Sequence, residues 1–186
     1  NTAVYIASTI VLKNNLLYEN HTGITFEASY EHQLEPAHDF GVGESKIINN
    51  TIYNNSGWGI QGEIGSLTNY QTDHPEIRNN IVTGNTEGAI NITHYDTYPV
   101  NPDYVLIKYN CIEGIEEDMI ELGAGVISDT DDFYTVNANP QFVDPANDDY
   151  SLKWNSTTFS PCIDTGDPDF DDDGDENNPD LISKPS

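Results

Sequence analysis

The clearest chemical signal in this sequence is an aspartate-rich run that begins at Asp169. Aspartates stand at alternating places and Gly174 stands at the sixth, as in the D-x-D-x-D-G loops that bind calcium. Calcium prefers clustered oxygen ligands, and a glycine at the sixth place permits the turn that brings the first, third and fifth side chains together. The run therefore predicts a calcium site with the ligands Asp169, Asp171, Asp173, Asp175 (through its carbonyl) and Asp180.

Two prolines restrict the form of this site. Pro168 and Pro179 border the run, and proline is incompatible with helix interiors, so a helix–loop–helix arrangement is excluded. We expect an isolated calcium loop that stabilises the fold rather than taking part in chemistry. A disordered acidic tail is the alternative interpretation.

A second group of residues could bind a ligand, and it lies in irregular stretches that separate strand-like runs. Aromatic rings beside carboxylates and amides can stack on sugar rings and hydrogen-bond to them. The candidate ligand-binding residues are Tyr30, His38, Tyr70, His74, His94, Tyr95 and Tyr98. The alternative is that these aromatics fasten each loop to the body of the protein.

The elements that would position these residues repeat along the chain. An asparagine recurs at Asn15, Asn50, Asn80 and Asn110, with spacings of 35, 30 and 30 residues. An aliphatic residue stands three places before and two places after each one. A period of this length is typical of a solenoid, and the short Ile- and Val-rich runs bounded by Asn, Gly and Ser indicate strands.

The pattern predicts an all-β fold, a right-handed parallel β-helix of about four full coils with a C-terminal closing segment. The coils and their loops would span residues 1–132, the last partial coil and closing segment 133–166, and the Asp-rich tail 167–186. We expect the repeated asparagine to adopt a left-handed corner conformation and to stack amide on amide. The irregular stretches leave from one register, so they should lie on one side. A β-sandwich with asparagine-rich turns is the alternative.

Basic residues recur two places before this asparagine at Lys13, Arg78 and Lys108, whereas Ile48 interrupts the series. A lysine or arginine can remove the proton next to a uronate carboxylate, as in the parallel β-helix lyases, which makes Arg78 and Lys108 candidate catalytic residues. The alternative is that they occupy outward strand positions and offset nearby acids. These residues alone do not define a catalytic constellation.

The composition excludes several classes of partner. The chain of 186 residues has a net charge of −26 and only six basic residues, so nucleic acid and anionic membranes are disfavoured. It contains no apolar run long enough to span a membrane. Such acidity fits a saline or calcium-containing exterior, where salt screens self-repulsion.

The first residues are already strand-like, in the run YIASTIVL, and no polar capping element precedes them. Because solenoids need capped ends to stay soluble, we expect either a fragment or processed product, or a first coil that docks on neighbouring copies or upstream domains.

The C-terminal third contains the phrases NPQFVDP, DYSL, SPCIDTGDP and DFDDDGD. Together with the asparagine-corner repeats, these phrases resemble the right-handed parallel β-helix repeat proteins of bacteria and archaea, over residues 4 to about 175. The resemblance implies a secreted or surface-attached protein, and some members of the family resemble polysaccharide lyases. Phe142 is expected to start the last incomplete coil, and the alternation of Tyr150, Leu152 and Trp154 to form a strand that closes the end of the core.

Cys111 and Cys162 are the two cysteines of the chain. An even count in a chain that looks secreted predicts one disulfide, which would clamp the closing segment to the last full coil. Two buried thiols are the alternative.

Two functions follow from these expectations. The first is an extracellular structural or adhesive module of a surface protein or fibre, calcium-stabilised and non-catalytic. The second is a carbohydrate-active domain, either glycan-binding, a polysaccharide lyase or a glycoside hydrolase, that uses the stacked loop face.

Overall fold

The structure is a computed structural model that describes residues 1–6, 10–28, 45–64, 75–94, 103–113, 119–124, 126–128, 135–155 and 157–163. Within these residues the fold is all-β apart from a 3-10 turn at Pro145–Asn147. The strands are β1 (Thr2–Ile6), β2 (Val11–Lys13), β3 (Leu16–Tyr18), β4 (Thr22–Ala28), β5 (Lys46–Ile48), β6 (Thr51–Tyr53), β7 (Trp58–Ile64), β8 (Glu76–Arg78), β9 (Ile81–Thr83), β10 (Gly88–His94), β11 (Asp103–Lys108), β12 (Cys111–Ile112), β13 (Ile120–Leu122), β14 (Val126–Ser128), β15 (Phe142–Asp144) and β16 (Asp149–Leu152).

The strands β1 to β14 form three parallel sheets, and β15 and β16 form a separate antiparallel pair. Sheet A has the order β1-β4-β7-β10-β13, sheet B the order β2-β5-β8-β11-β14, and sheet C the order β3-β6-β9-β12. Successive strands visit sheets B, C and A in turn, and we call one such set of three a rung, so that β2, β3 and β4 form the first rung. The all-β fold with stacked parallel strands is thereby confirmed, and it is compatible with a parallel β-solenoid.

A column of aliphatic side chains fills the space between the sheets. Each is at most 2% exposed, and each stands in register with its equivalent one rung away. The column contains Ile47, Ile77 and Ile107 from sheet B, Ile52, Val82 and Ile112 from sheet C, and Ile24, Ile60 and Ile90 from sheet A. Burying one such side chain contributes roughly 1.5–3 kcal/mol, so this column stabilises the stacking of the rungs.

One position in sheet A needs a glycine for reasons of space. Gly62 lies between Phe26 and Ile92 in the strand register. A Cβ atom at Gly62 would come within 2.3 Å of Phe26 Cζ and 2.7 Å of Ile92 Cδ1. The ring of Phe26 therefore occupies the room that a side chain at residue 62 would need.

The corner between sheets B and C has a left-handed residue, with φ between 55° and 60°. This residue is Asn14, Asn49, Asn79 or Tyr109 in successive rungs. The sequence predicts this conformation at the following residue, the repeated asparagine, and that expectation is wrong by one position. The first residue of each pair turns the backbone, which leaves the second free to use its side chain for hydrogen bonds.

Residues 135–155 and 157–163, which we call the strap, lie along the outer face of sheet C. Val136 pairs in parallel with Cys111, and Asn139 donates a 2.6 Å hydrogen bond to Glu113. Further along, the Phe142 ring packs on Tyr53 at 5.4 Å between centroids. Since Tyr53 is one residue from the inward Ile52, it faces outward, and the strap runs from the fourth rung back towards the first.

This course corrects two expectations. Phe142 does not start a last coil, because it pairs antiparallel with Leu152 and the Val136 bridge takes that place in sheet C. The strand around Tyr150 exists, but Tyr150 lies on Tyr18 and Tyr53 and so covers the side of the stack rather than the end of the core.

Candidate functional site

The repeated asparagine forms a directional ladder of hydrogen bonds at the corner between sheets B and C. Asn15 donates to Asn50 Oδ1 from its backbone N–H at 3.1 Å and from its Nδ2 at 3.0 Å. Asn50 donates to Asn80 in the same two ways, and Asn80 to Asn110, at 2.9–3.0 Å. Asn50, Asn80 and Asn110 are at most 1% exposed. Each buried side-chain oxygen thus accepts two donors from the rung before it, which fixes the register of the rungs.

A second ladder, which the sequence analysis missed, follows five residues later at the corner between sheets C and A. The Asn20 backbone N–H donates to Asn55 Oδ1 at 2.9 Å, and Asn55 Nδ2 donates to Asn85 Oδ1 at 2.8 Å. The signal was present in the sequence as the repeated spacing Asn-x4-Asn. Two ladders therefore hold two of the three corners in each of the first three rungs.

At the end of the stack formed by the first strands, part of the core is incompletely covered. Leu12 and Leu17 are only partly buried, whereas their equivalents in later rungs are buried. On the outside of the same first strands, Val11 is 54% and Leu16 is 43% exposed. Since β1, β2 and β3 are the first strands of their sheets, this end also presents unpaired strand edges within the described residues.

The predicted loop wall has a defined origin. The strands β4, β7 and β10 end at Ala28, Ile64 and His94 and lie side by side in sheet A. The chain therefore leaves these three strands at one edge of sheet A, as the sequence predicts. His94, half-buried and in register with Ile64, is the one candidate ligand residue in the described part. Tyr30, His38, Tyr70, His74, Tyr95 and Tyr98 lie outside it.

Next to that edge, the outer face of sheet A is polar and acidic. Glu27 lies opposite Glu63 in the strand register, and Glu63 lies opposite Thr93. A hydrogen bond to Glu27, followed by partial burial and the charges of Glu27 and Glu63, raises the pKa of Tyr5 above its ordinary value. These groups could accept hydrogen bonds from sugar hydroxyls.

The candidate catalytic cations lie on sheet B, where Arg78 contacts an acid. Arg78 Nε is 3.4 Å from Glu76 Oε2, and Lys46 Nζ is 3.1 Å from Glu76 Oε1. Lys108 lies beside Arg78 in the register, as the spacing predicts. Arg78 is only 6% exposed, although it follows the inward Ile77 and so lies on the outer face of β8. An arginine beside a carboxylate keeps its proton, which favours charge compensation over proton abstraction.

No group of three or more His, Cys, Asp or Glu side chains that could hold a metal occurs in the described part of the chain. The predicted calcium ligands Asp169, Asp171, Asp173, Asp175 and Asp180 lie outside that part. The calcium site stays a prediction.

Cys111 and Cys162 form a disulfide, as the sequence predicts. Cys111 is 3% exposed on β12, and Cys162 belongs to the strap. The bond therefore fastens the strap to the fourth rung, and it suggests an oxidising environment. Among the described residues, no helix is long and apolar enough to cross a membrane.

No protein-family model, no curated protein and no solved structure matches this chain.

Proposed function

We propose that this chain is a structural or adhesive module of an extracellular surface protein or fibre, built as a right-handed parallel β-helix of about four coils. The observation that carries the proposal is the apolar end formed by β1, β2 and β3, each of which pairs with a strand on one side only within the described residues. Open strand edges next to exposed aliphatic side chains favour association with further strands. An end of this kind suits a protein that works by joining neighbours.

Charge directs this association to the ends of the stack. The net charge is −26, and four of the six basic residues lie in the strands of sheet B, at Lys13, Lys46, Arg78 and Lys108. Copies placed side by side would repel one another through their acidic flanks. Copies placed end to end bury apolar surface and keep those flanks apart.

Two further features suit a protein outside the cell. The disulfide Cys111–Cys162 fastens the strap in an oxidising environment. The loop predicted at residues 169–180 would add calcium as a second fastening, since extracellular modules bind calcium at 10⁻⁴–10⁻³ M.

The second candidate is a carbohydrate-active domain that binds glycans on the loop face. It is favoured by the single edge of sheet A from which the loops leave and by the adjacent polar face around Glu27 and Glu63. The buried ion pair of Arg78 with Glu76 counts against a lyase mechanism through that residue.

Light scattering at increasing ionic strength, with and without calcium, tests the first candidate against the second. We expect the mean mass of the wild type to rise with salt, because screening weakens the repulsion between acidic copies. A variant Val143→Lys, which charges an exposed strap position away from both ends, serves as the control and should associate like the wild type. A constant monomer mass, together with retention on immobilised polysaccharide, would contradict the structural role and favour the carbohydrate-active one.

A further inference from the structure

We propose that the apolar end formed by β1, β2 and β3 binds the opposite end of a second copy, head to tail. In this arrangement β13 of one copy lies parallel to β1 of the next, β14 to β2, and the strand around Val136 to β3. The inference rests on the proposed structural function and names its partner and register.

The incompletely buried members of the core mark both ends. Six hydrophobic residues pack against the buried column without being fully buried, and all six lie at or beside the outermost strands. They are Val4, Leu12 and Leu17 at one end and Met119, Ile120 and Leu122 at the other. The equivalents of Ile120 and Leu122 in the previous rung, Ile90 and Ile92, are 0% exposed. A further rung at each end would therefore complete the core.

The backbone groups at these two ends are suited to parallel pairing. The Ile10 carbonyl accepts a hydrogen bond from Lys46 N–H, and the Asn14 N–H donates to the Ile48 carbonyl. Because backbone groups alternate in direction along a strand, the N–H and C=O of Val11 point away from β5. At the other end, the Met119 carbonyl accepts a hydrogen bond from Ile90 N–H, and the Gly123 N–H donates to the Ile92 carbonyl. The backbone N–H and C=O groups of Ile120 and Leu122 therefore point away from β10. Each end thus presents both N–H and C=O groups to the next copy.

The polarity of the asparagine ladder selects head-to-tail stacking over head-to-head. The Nδ2 group of Asn15 donates to Lys13 O and to Asn50 Oδ1, both at 3.0 Å, and its backbone N–H also donates to Asn50. Asn15 Oδ1 receives no donor from the described residues. A copy joined by the same end would bring this acceptor against an identical acceptor. The end therefore needs a partner that supplies donors.

The last described rung can supply them. Val136 pairs with Cys111, so Thr135 stands at the ladder position that follows Asn110. In each earlier rung the residue at that position donates its backbone N–H to the next asparagine oxygen. In the stacked pair, Thr135 would donate in the same way to Asn15 Oδ1 of the next copy.

Complementary end variants test this arrangement. Leu12→Lys charges one end of the core and Leu122→Lys charges the other, and each long side chain can reach solvent at its open end. At a salt concentration at which the wild type associates, each variant alone should be monomeric, because each has only one functional end. An equimolar mixture should form a heterodimer with twice the mass of either variant and nothing larger.

Val11→Pro provides a second way to block the first end, because it removes an N–H that faces away from β5 and leaves the side chain of Leu12 in place. It should behave like Leu12→Lys in the same mixing experiment, which guards against misfolding of one variant. Association of Leu122→Lys by itself would overturn the head-to-tail arrangement and indicate head-to-head contact. A mixture that contains only monomers would overturn it as well. Either outcome leaves the structural function standing if the wild type associates, whereas a wild type that never associates contradicts the function itself.

Discussion

Tyr150 of the strap packs on Tyr18 of the first rung, with 4.9 Å between their ring centroids. The same ring lies 5.2 Å from Tyr53 of the second rung. Both ends of the strap lie at the fourth rung, because Val136 pairs with Cys111 and Cys162 forms the disulfide with the same residue. The strap therefore ties together rungs that have no direct contact with one another.

The strap should loosen at alkaline pH. Burial first, and then the charges of Asp148, Tyr18, Glu19 and Tyr53, raises the pKa of Tyr150 above 10.0. Because the folded-state pKa is raised, this contribution to stability is fully present below pH 10 and is lost as the pH rises through the folded value. In the wild type, we expect the strap to become sensitive to protease as the pH rises from 10 through the folded-state pKa of Tyr150.

Tyr150→Phe should keep the ring contacts and abolish this alkaline step. Tyr5→Phe is the control, because Tyr5 also has a raised pKa but lies on sheet A, away from the strap. If Tyr150→Phe loosens at the same pH as the wild type, another group controls the strap.

Removing the disulfide should destabilise the protein. The bond joins residues 51 apart in the sequence, and closing a loop of that length contributes about 4 kcal/mol in the chain-entropy model. The double variant Cys111→Ala/Cys162→Ala should lose about this much free energy of unfolding in a urea titration. Reducing agent should lower the stability of the wild type and leave the double variant unchanged; equal effects on both would mean that the bond contributes nothing.

The middle of the asparagine ladder should matter more than its end. Asn50→Ala removes an oxygen that accepts two hydrogen bonds and an amide that donates to Asn80 and to Leu12 O, at a site 1% exposed. Leaving buried donors without partners should cost about 3 kcal/mol.

Asn15→Ala is the matched control, since the side chain of Asn15 accepts no hydrogen bond within the described part, and it should cost about 1 kcal/mol. Both values follow from urea unfolding. Equal losses for the two variants would show that the ladder does not fix the register of the rungs.

Gly62→Ala should destabilise the fold by about 1–3 kcal/mol, because the added methyl group would overlap Phe26 Cζ. The neighbouring Gln61→Ala provides the control, since Gln61 is exposed on the opposite face of the same strand. Thermal unfolding of the two variants compares them directly. A Gly62→Ala protein as stable as the control would mean that the core around Phe26 adapts freely.

Calcium should stabilise the chain through the loop predicted at residues 169–180. A bound ligand at a hundredfold excess over its dissociation constant adds about 2.7 kcal/mol, so the melting temperature should rise with calcium and fall with chelator. Asp171→Asn/Asp173→Asn should remove this response, whereas Asp144→Asn, in the strap, should preserve it. A melting temperature that ignores both calcium and chelator would disprove the site.

Much of the stack could be predicted because its residues repeat. The aliphatics around Asn50 recur in every rung, and a recurring pattern reports directly on which side chains face the core. The second ladder at Asn20, Asn55 and Asn85 was equally regular, and its signal was overlooked.

The course of the strap could not be predicted because it depends on single contacts without a period. Tyr150 reads as a strand residue in the sequence, and nothing there states that its ring meets Tyr18. The burial of Arg78 could not be predicted either. Its position in the repeat indicates an outward side chain, but the extent of its burial depends on neighbouring side chains that differ from rung to rung.

Electron microscopy of the wild type at increasing salt tests the central claim most directly. If this chain is a structural module that joins neighbours through its ends, the particles should lengthen as salt screens the charge of −26, while their width stays that of one stack. Compact particles of constant size at every salt concentration would contradict the claim.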